Sequence, residues 1–318
     1  MRRRLGPEFL DYAINPFVGG VYAGSPETLS VSAAFPRLHE LEQRHGSLLR
    51  GLLFGARERA RRPEQSKRSA PMFAFRDGMQ TLPDAIARRL QCKEFDTAVT
   101  GVTTHVGGFE VAAVTNGARR EFSATAIVLA VPAYTGAKLV ATLAPEAATA
   151  LAAIPYPAVV VVYSCYERRA IAHALDGFGV LVPECEHRNT LGTIFSSTLF
   201  EDRAASGMVL LTTFIGGTRQ PELAALDDEK IAALVHAEHA SILGATAPPE
   251  SVRVRRWPLA IPQYTRGHAS RIAQVEKAER DCPGLFLRAN YRGGVSVGDC
   301  IKSARQAATE VIAFLGSR

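Results

Sequence analysis

GLFLRANYRGGVSVGDCIKSARQAATEVIAFL, Gly284 to Leu315, is the stretch whose reading decides the fold. Leu285 to Ala289 predicts a short buried strand, Asn290 to Gly298 a glycine-bearing turn, and the remainder a long amphipathic helix. Ile301, Ala304, Ala308, Val311, Ile312 and Leu315 recur at helical spacing and make one apolar face. Asp299 is a reasonable cap for the helix start. The adjacent Gly293 and Gly294 put no side chain between the backbone and whatever lies above it. The first N–H groups of a helix lack intrahelical partners and carry partial positive charge, so this turn can hold an electron-rich group. The ordinary alternative is a tight turn followed by a helix that closes a core.

Upstream of that stretch the pattern is strand-dominated. Runs at Ala158 to Tyr166, Phe178 to Val182, Thr190 to Ser196, Val209 to Ile215 and Val252 to Trp257 read as strands. A helix at Asp227 to Leu243 lies among them, with Ile231, Leu234, Val235 and Ile242 on one face. An alanine-rich helical stretch ends near Ile154. Before it, Ala98 to Thr103 and Phe109 to Thr115 are strand-like, and Asn116-Gly117 is a strong hairpin signal. The partner strand, Arg120 to Thr125, leads into the buried run Ala126 to Val131. Met72 to Phe75 predicts a short strand and Thr81 to Leu90 a helix. Residues 1–70 read as helical, with Pro7 at a start and Pro16 as a stop, then a leucine pattern from Leu38 to Leu53 interrupted at Gly46. Periodicity alone leaves α/β and α+β open, with mixed sheets in either case.

The chain has 318 residues, 47% of them apolar and 21% charged, an ordinary globular balance for about two domains. Net charge is +6, and Arg57, Arg59, Arg61, Arg62, Lys67 and Arg68 crowd one polar stretch that marks a boundary. No aromatic residues interleave with that run, which argues against nucleic acid and leaves a solvated face, an acidic membrane surface or an anionic substrate. The cysteines, 5 in all, contain no CxxC pair and argue for a reducing compartment without a disulfide or metal framework. The longest apolar runs are too short to span a bilayer, so membrane contact is expected to be peripheral to a cytoplasmic protein. His236 and His239 sit one helical turn apart with no third ligand nearby in sequence, which favours a surface pair over a metal site. No G-x-G-x-x-G dinucleotide motif occurs; Gly177-Phe178-Gly179 runs into a strand, not a helix.

NYRGGVSVGDCIKSARQAA resembles the C-terminal flavin-contacting segment of oxygen-dependent protoporphyrinogen oxidases, within the flavin amine oxidase group. Further stretches resemble the same family in the same order: residues 15–51, FRDGMQTLPDAIARRL at 75–90, GFGVLVP and LGTIFSS within 177–197, and RRWPLAIPQYTRGH at 255–268. The resemblance implies an α/β fold with an incomplete FAD-binding Rossmann-like layer (71–135 and 283–318). It implies an inserted mixed-sheet substrate domain (136–282) and an N-terminal helical region (1–70). Relatives carry the dinucleotide fingerprint in a segment that would precede Met1, so a truncated chain, a split subunit or a mis-assigned start is expected, with weak FAD binding or none by this chain alone.

By resemblance, Val99 meets the adenosine half of FAD, Trp257 lies by the flavin, and Val295, Ser296 and Val297 face the isoalloxazine ring. Val159, Leu181 and Phe195 are implied to line the slot for a flat tetrapyrrole, with Phe195 stacking on a pyrrole face. For each of these, a core or turn role is the plain alternative. The basic residue that pairs with a propionate in relatives has no match here; Arg76 and Arg292 are weak substitutes. The implied reaction is oxidation of protoporphyrinogen IX to protoporphyrin IX with molecular oxygen as acceptor, with no catalytic acid or base named. Rivals are another flavin amine oxidase, a desaturase relative, or a non-catalytic porphyrin-binding partner subunit. The partner is a homodimer mate or the missing N-terminal half.

Overall fold

The structure, a computed structural model, describes residues 6–46 and 73–317. Expectations for 1–5 and 47–72, which include the basic run and the boundary near Pro63, lie outside the described residues. In chain order the elements begin with α1 (Pro7–Phe9), a π turn (Leu10–Ile14), α2 (Asn15–Tyr22), α3 (Val31–Ala34), α4 (Pro36–His45) and α5 (Thr81–Arg89). Strands β1 (Thr97–His105), β2 (Gly108–Thr115), β3 (Ala118–Ala124) and β4 (Ile127–Leu129) follow, then α6 (Ala133–Leu139) and α7 (Pro145–Ala152). Next come β5 (Val159–Glu167), β6 (Gly179–Leu181), β7 (Gly192–Phe195), α8 (Ser196–Leu199) and β8 (Met208–Gly216). The chain continues with α9 (Asp228–Leu243), β9 (Ser251–Trp257), α10 (His268–Asp281), β10 (Leu285–Leu287) and α11 (Val297–Gly316).

Two compact units emerge, one drawn from Met1–Thr28, Arg62–Arg89 and Tyr156–Ile261, the other from Leu29–Arg61, Leu90–Pro155 and Pro262–Arg318. This grouping differs from the sequence-based partition at residues 136–155 and 262–282, because α7 packs on α10 through Ala144, Ala147 and Ala278.

The first unit is built on a 5-stranded antiparallel sheet in the order β6-β7-β8-β5-β9. Alternation sends Val160, Val162, Leu211, Thr213, Ile215 and Phe195 to one face. Helix α9 covers that face with Ile231, Val235 and Leu243, closing two apolar clusters. Asp227 caps α9 by accepting the Lys230 N–H, and Gly244 ends it in the left-handed conformation. The opposite face carries Val159, Val161, Phe214, Thr212, Ile194, Leu181 and Trp257. The end of α2 and the loop after β9 cover part of it through Ala23, Ala260 and Ile261.

The second unit holds the meander β1-β2-β3 and the parallel pair β10-β4. Asn116 and Gly117 both take positive φ, so the hairpin turn forms as their sequence predicts. Leu285, Leu287, Ile127 and Leu129 are buried in the parallel pair. Expectation and structure part at four places here; in the first unit Phe73–Phe75 is irregular and not a strand, and Pro16 sits in the first turn of α2 and does not stop a helix. Helix α10 is absent from the sequence prediction, although Ile272, Val275 and Ala278 had the spacing for it. The cap of α11 is Ser296, whose Oγ accepts the Asp299 N–H at 3.1 Å, and not Asp299 itself. The last strand is shorter than expected, ending at Leu287. The apolar face of α11 does not close a core among the described residues: Ile301, Ile312 and Leu315 are exposed, and Ala304, Ala308 and Val311 line an open groove of about 680 Å³ with Val128 and Ala130.

Candidate functional site

In the second unit the bend Asn290–Val297 is the place where backbone, not side chain, is on offer. Gly293 (φ 88°) and Gly294 (φ 127°) turn the chain through regions that L side chains avoid. A Cβ on Gly294 would come within 2.7 Å of Asp299, and one on Gly293 would meet nothing nearer than Ser303 at 3.9 Å. The open side of Gly293 is a cradle that a side chain would fill. Val295 is half-buried, while Ser296 and Val297 are exposed at the mouth of α11. The helix N-terminus already holds an acid of its own: Ser296 Oγ–H donates to Asp299 Oδ2 at 2.6 Å. That carboxylate disfavours a phosphate at this end and leaves the bend suited to a neutral, electron-rich edge such as a flavin ring carbonyl. The residues therefore fit the ring of FAD, and they do not supply a pyrophosphate anchor.

Tyr264 and His268 hold this bend from below. Tyr264 Oη–H donates to the Asn290 carbonyl at 2.6 Å and accepts the Gly294 N–H at 3.0 Å. His268 Nε2–H donates to the Tyr291 carbonyl at 2.9 Å, and its ring stacks on Tyr264 at 4.3 Å. Burial, the largest cause, and Arg271 push the His268 pKa down against the opposing pull of the Tyr291 carbonyl bond. Val99 lies at a bulge in β1, where the register slips between Val99 and Gly101, and its side chain is exposed. The residue left outside the ladder there is Thr100, whose Oγ1 donates to the Ala112 carbonyl at 3.2 Å, while Val99 itself pairs with Ala113.

The first unit brings Val159, Leu181 and Trp257 to one sheet face and leaves Phe195 on the other. Phe195 is 1% exposed, packed with Tyr166, Leu175 and Leu211 and tilted against His173, so it has no surface to give a ligand. The stacking role expected of it is corrected to a core role. Val159 also lies in an apolar cluster, whereas Leu181 (51%) and Trp257 (49%) are open, with the Arg255 guanidinium over the indole at 5.2 Å. On the open face, Ile194 and Phe214 are partly exposed neighbours of that set and were missed. Strand parity in LGTIFSS was the available signal, since it separates Ile194 from Phe195 without saying which is outward.

Local packing fixes where Leu181 stands. Asn15 Nδ2 donates to Glu184 Oε2 at 2.8 Å, and its Oδ1 accepts the Glu184 N–H and Arg219 Nη2 at 3.0 Å each. Arg219 Nη1 also donates to the Val182 carbonyl at 2.9 Å. This pins α2 beside β6, where Gly20 leaves room for Leu181: a Cβ there would stand 2.5 Å from Leu181 Cδ2. Of the substitute propionate partners, Arg292 is committed elsewhere, to Glu276 and Glu279 at 3.0 Å each. Arg76 is exposed and 3.8 Å from Asp202. No cluster of potential metal ligands occurs among the described residues.

The family model for flavin-containing amine oxidoreductases matches residues 1–312, and the chain belongs to that family. The family is one of oxidoreductases, its fold is the mixed helix-and-sheet fold described above, and the cofactor it implies is FAD. Within it, the chain is 35% identical over 334 residues to the chloroplastic protoporphyrinogen oxidase of Nicotiana tabacum, covering 99% of this chain and 61% of that one. It is 32% identical to the protoporphyrinogen oxidase of Bos taurus, covering 98% of this chain and 67% of the relative. A protoporphyrinogen-oxidase-like crystal structure from Exiguobacterium shares the fold at TM-score 0.76 and 24% identity, covering 98% of this chain and 66% of that chain. The chain thus spans about three-fifths to two-thirds of the length of these relatives.

Proposed function

We propose that the protein takes part in FAD-dependent oxidation of protoporphyrinogen IX to protoporphyrin IX, with molecular oxygen as acceptor. The observation that supports this most is likeness to protoporphyrinogen oxidases running along 99% of the chain, through both the bend and the open sheet face. The bend of Val295, Ser296 and Val297, with backbone exposed and phosphate disfavoured, would hold the isoalloxazine edge; Val99 and Trp257 would meet the rest of the cofactor. When bound, FAD supplies hydride acceptance, and oxygen regenerates it. Leu181, Ile194 and Phe214 form the open apolar surface for a flat macrocycle, with Val159 supporting them from the cluster beneath. No side-chain acid or base is assigned; binding, orientation and exclusion of water are what this chain's residues contribute. No helix among the described residues is long and apolar enough to cross a bilayer.

The test uses the full protein as its gene encodes it. Flavin absorbance in the purified protein and porphyrin fluorescence developed from protoporphyrinogen, above the rate in air alone, are the expected results. Flavin-loaded protein that oxidises amines with peroxide release and leaves protoporphyrinogen untouched would favour the amine oxidase rival. Tight porphyrin binding with no peroxide would favour a non-catalytic subunit.

A further inference from the structure

The bend that offers its backbone has few means of holding its own shape. Gly293 and Gly294 carry the largest backbone freedom of any residue, and ordering them costs backbone entropy. A ligand that had to order such a bend on arrival would bind more weakly by that cost. What orders it comes from far along the chain. Tyr264, buried in the segment after β9, grips both ends of the turn through one hydroxyl, to the Asn290 carbonyl and the Gly294 N–H. His268, at the start of α10, takes the Tyr291 carbonyl between those two contacts. The Tyr264–His268 stack, with rings 16° from parallel, ties the two grips together, and the Ser30 N–H bonded to the Tyr264 carbonyl at 2.8 Å fixes their base. Three backbone groups of the bend are thus held by two side chains from one short segment, Gln263–His268.

We propose that Tyr264 and His268 are positioning residues that preset the Asn290–Val297 bend for the flavin ring. They touch neither ring nor substrate in this account; they act by fixing the backbone whose 295–297 edge does. The inference rests on the flavin reading of the bend, and its test separates the two. Tyr264→Phe removes the hydroxyl and keeps the stack. His268→Gln keeps an N–H donor near the Nε2 position, and His268→Ala removes it.

Hydrogen exchange in chain 1–318 reports the bend without flavin, and FAD titration of the protein as encoded reports its consequence. Tyr264→Phe is expected to speed exchange of the Gly294 amide and of 295–297 by about tenfold and to weaken FAD binding by a similar factor, with a melting temperature lowered by only about 2–4 °C. His268→Ala is expected to follow it, and His268→Gln to stay near wild type. Unchanged exchange in both Tyr264→Phe and His268→Ala overturns the clamp. Faster exchange with unchanged FAD affinity and flavin spectrum overturns the positioning role. A wild-type protein that takes up no FAD, while the exchange pattern follows the variants, overturns the flavin reading and the positioning role with it but leaves the clamp standing. If Tyr264→Phe does not fold, the difference between His268→Gln and His268→Ala decides.

Discussion

Acidification should destabilise the first unit through a single imidazole. His239 is 2% exposed on the inner side of α9. Its Nδ1 lies 3.1 Å from Tyr166 Oη and its Nε2 2.8 Å from Thr213 Oγ1, which itself pairs with Thr193 at 2.9 Å. Tyr166 Oη also meets His236 Nδ1 at 3.1 Å. One hydroxyl proton cannot serve both rings, so Tyr166 donates to one imidazole and accepts from the other; the hydroxyl partners could accept from either form of His239, and its burial is what favours the neutral ring. Burial first, and His236 second, push the His239 pKa from 6.5 down to about 4. A depressed folded-state value means the contribution is fully present above 6.5 and is lost as pH falls toward 4. At 1.36 kcal/mol per pKa unit the full loss is about 3.4 kcal/mol, and linkage places about 2 kcal/mol of it between pH 7.5 and pH 5. Urea unfolding at those two pH values should show that difference. His239→Gln should be less stable at pH 7.5, by about 1 kcal/mol for the lost hydrogen bond. Its pH profile should be flatter by about 2 kcal/mol, because the titrating group is gone. Equal pH slopes for wild type and His239→Gln would refute the reasoning.

At the opposite end of the scale, burial raises the Tyr166 pKa to about 12, so its stabilisation should be intact below pH 10 and fade between pH 10 and 12, readable by phenolate absorbance alongside unfolding. Phe195→Ala should cost about 3–5 kcal/mol of stability with little change in KM, while Phe214→Ala should raise KM and barely move the melting temperature; the reverse pattern would restore the stacking role of Phe195. Gly20→Ala pushes on the movable tip of Leu181, so a changed KM with a small stability loss is expected, and unaltered kinetics would remove Leu181 from the substrate surface. Glu279 joins Arg288 and Arg292 in a largely buried network, and Glu279→Gln should destabilise by roughly 3 kcal/mol; a KM effect without a stability loss would return Arg292 to the candidates for a propionate partner.

Much of the fold is legible locally. Hairpin β2-β3 follows from Asn116-Gly117, whose residues tolerate positive φ, and α9 from an apolar face behind an aspartate cap. Strands β5 and β8 follow from β-branched runs that suit a pleated surface. Even the bend at 293–294 is visible, because paired glycines before a helix report a backbone need that no other residue meets as cheaply. The resemblance to protoporphyrinogen oxidases likewise sits in the order of residues and requires no coordinates.

Tertiary structure decided the rest, and for one physical reason: these outcomes depend on what lies opposite a residue, which its neighbours in sequence do not specify. Alternation divides Ile194 from Phe195, yet only the packing of α9 says that Phe195 is the one inside. Arg292 reads as a free cation until α10 sets Glu276 and Glu279 against it. Nothing local links Tyr264 to a glycine turn 30 residues later; a single hydroxyl bridging an N–H and a carbonyl does.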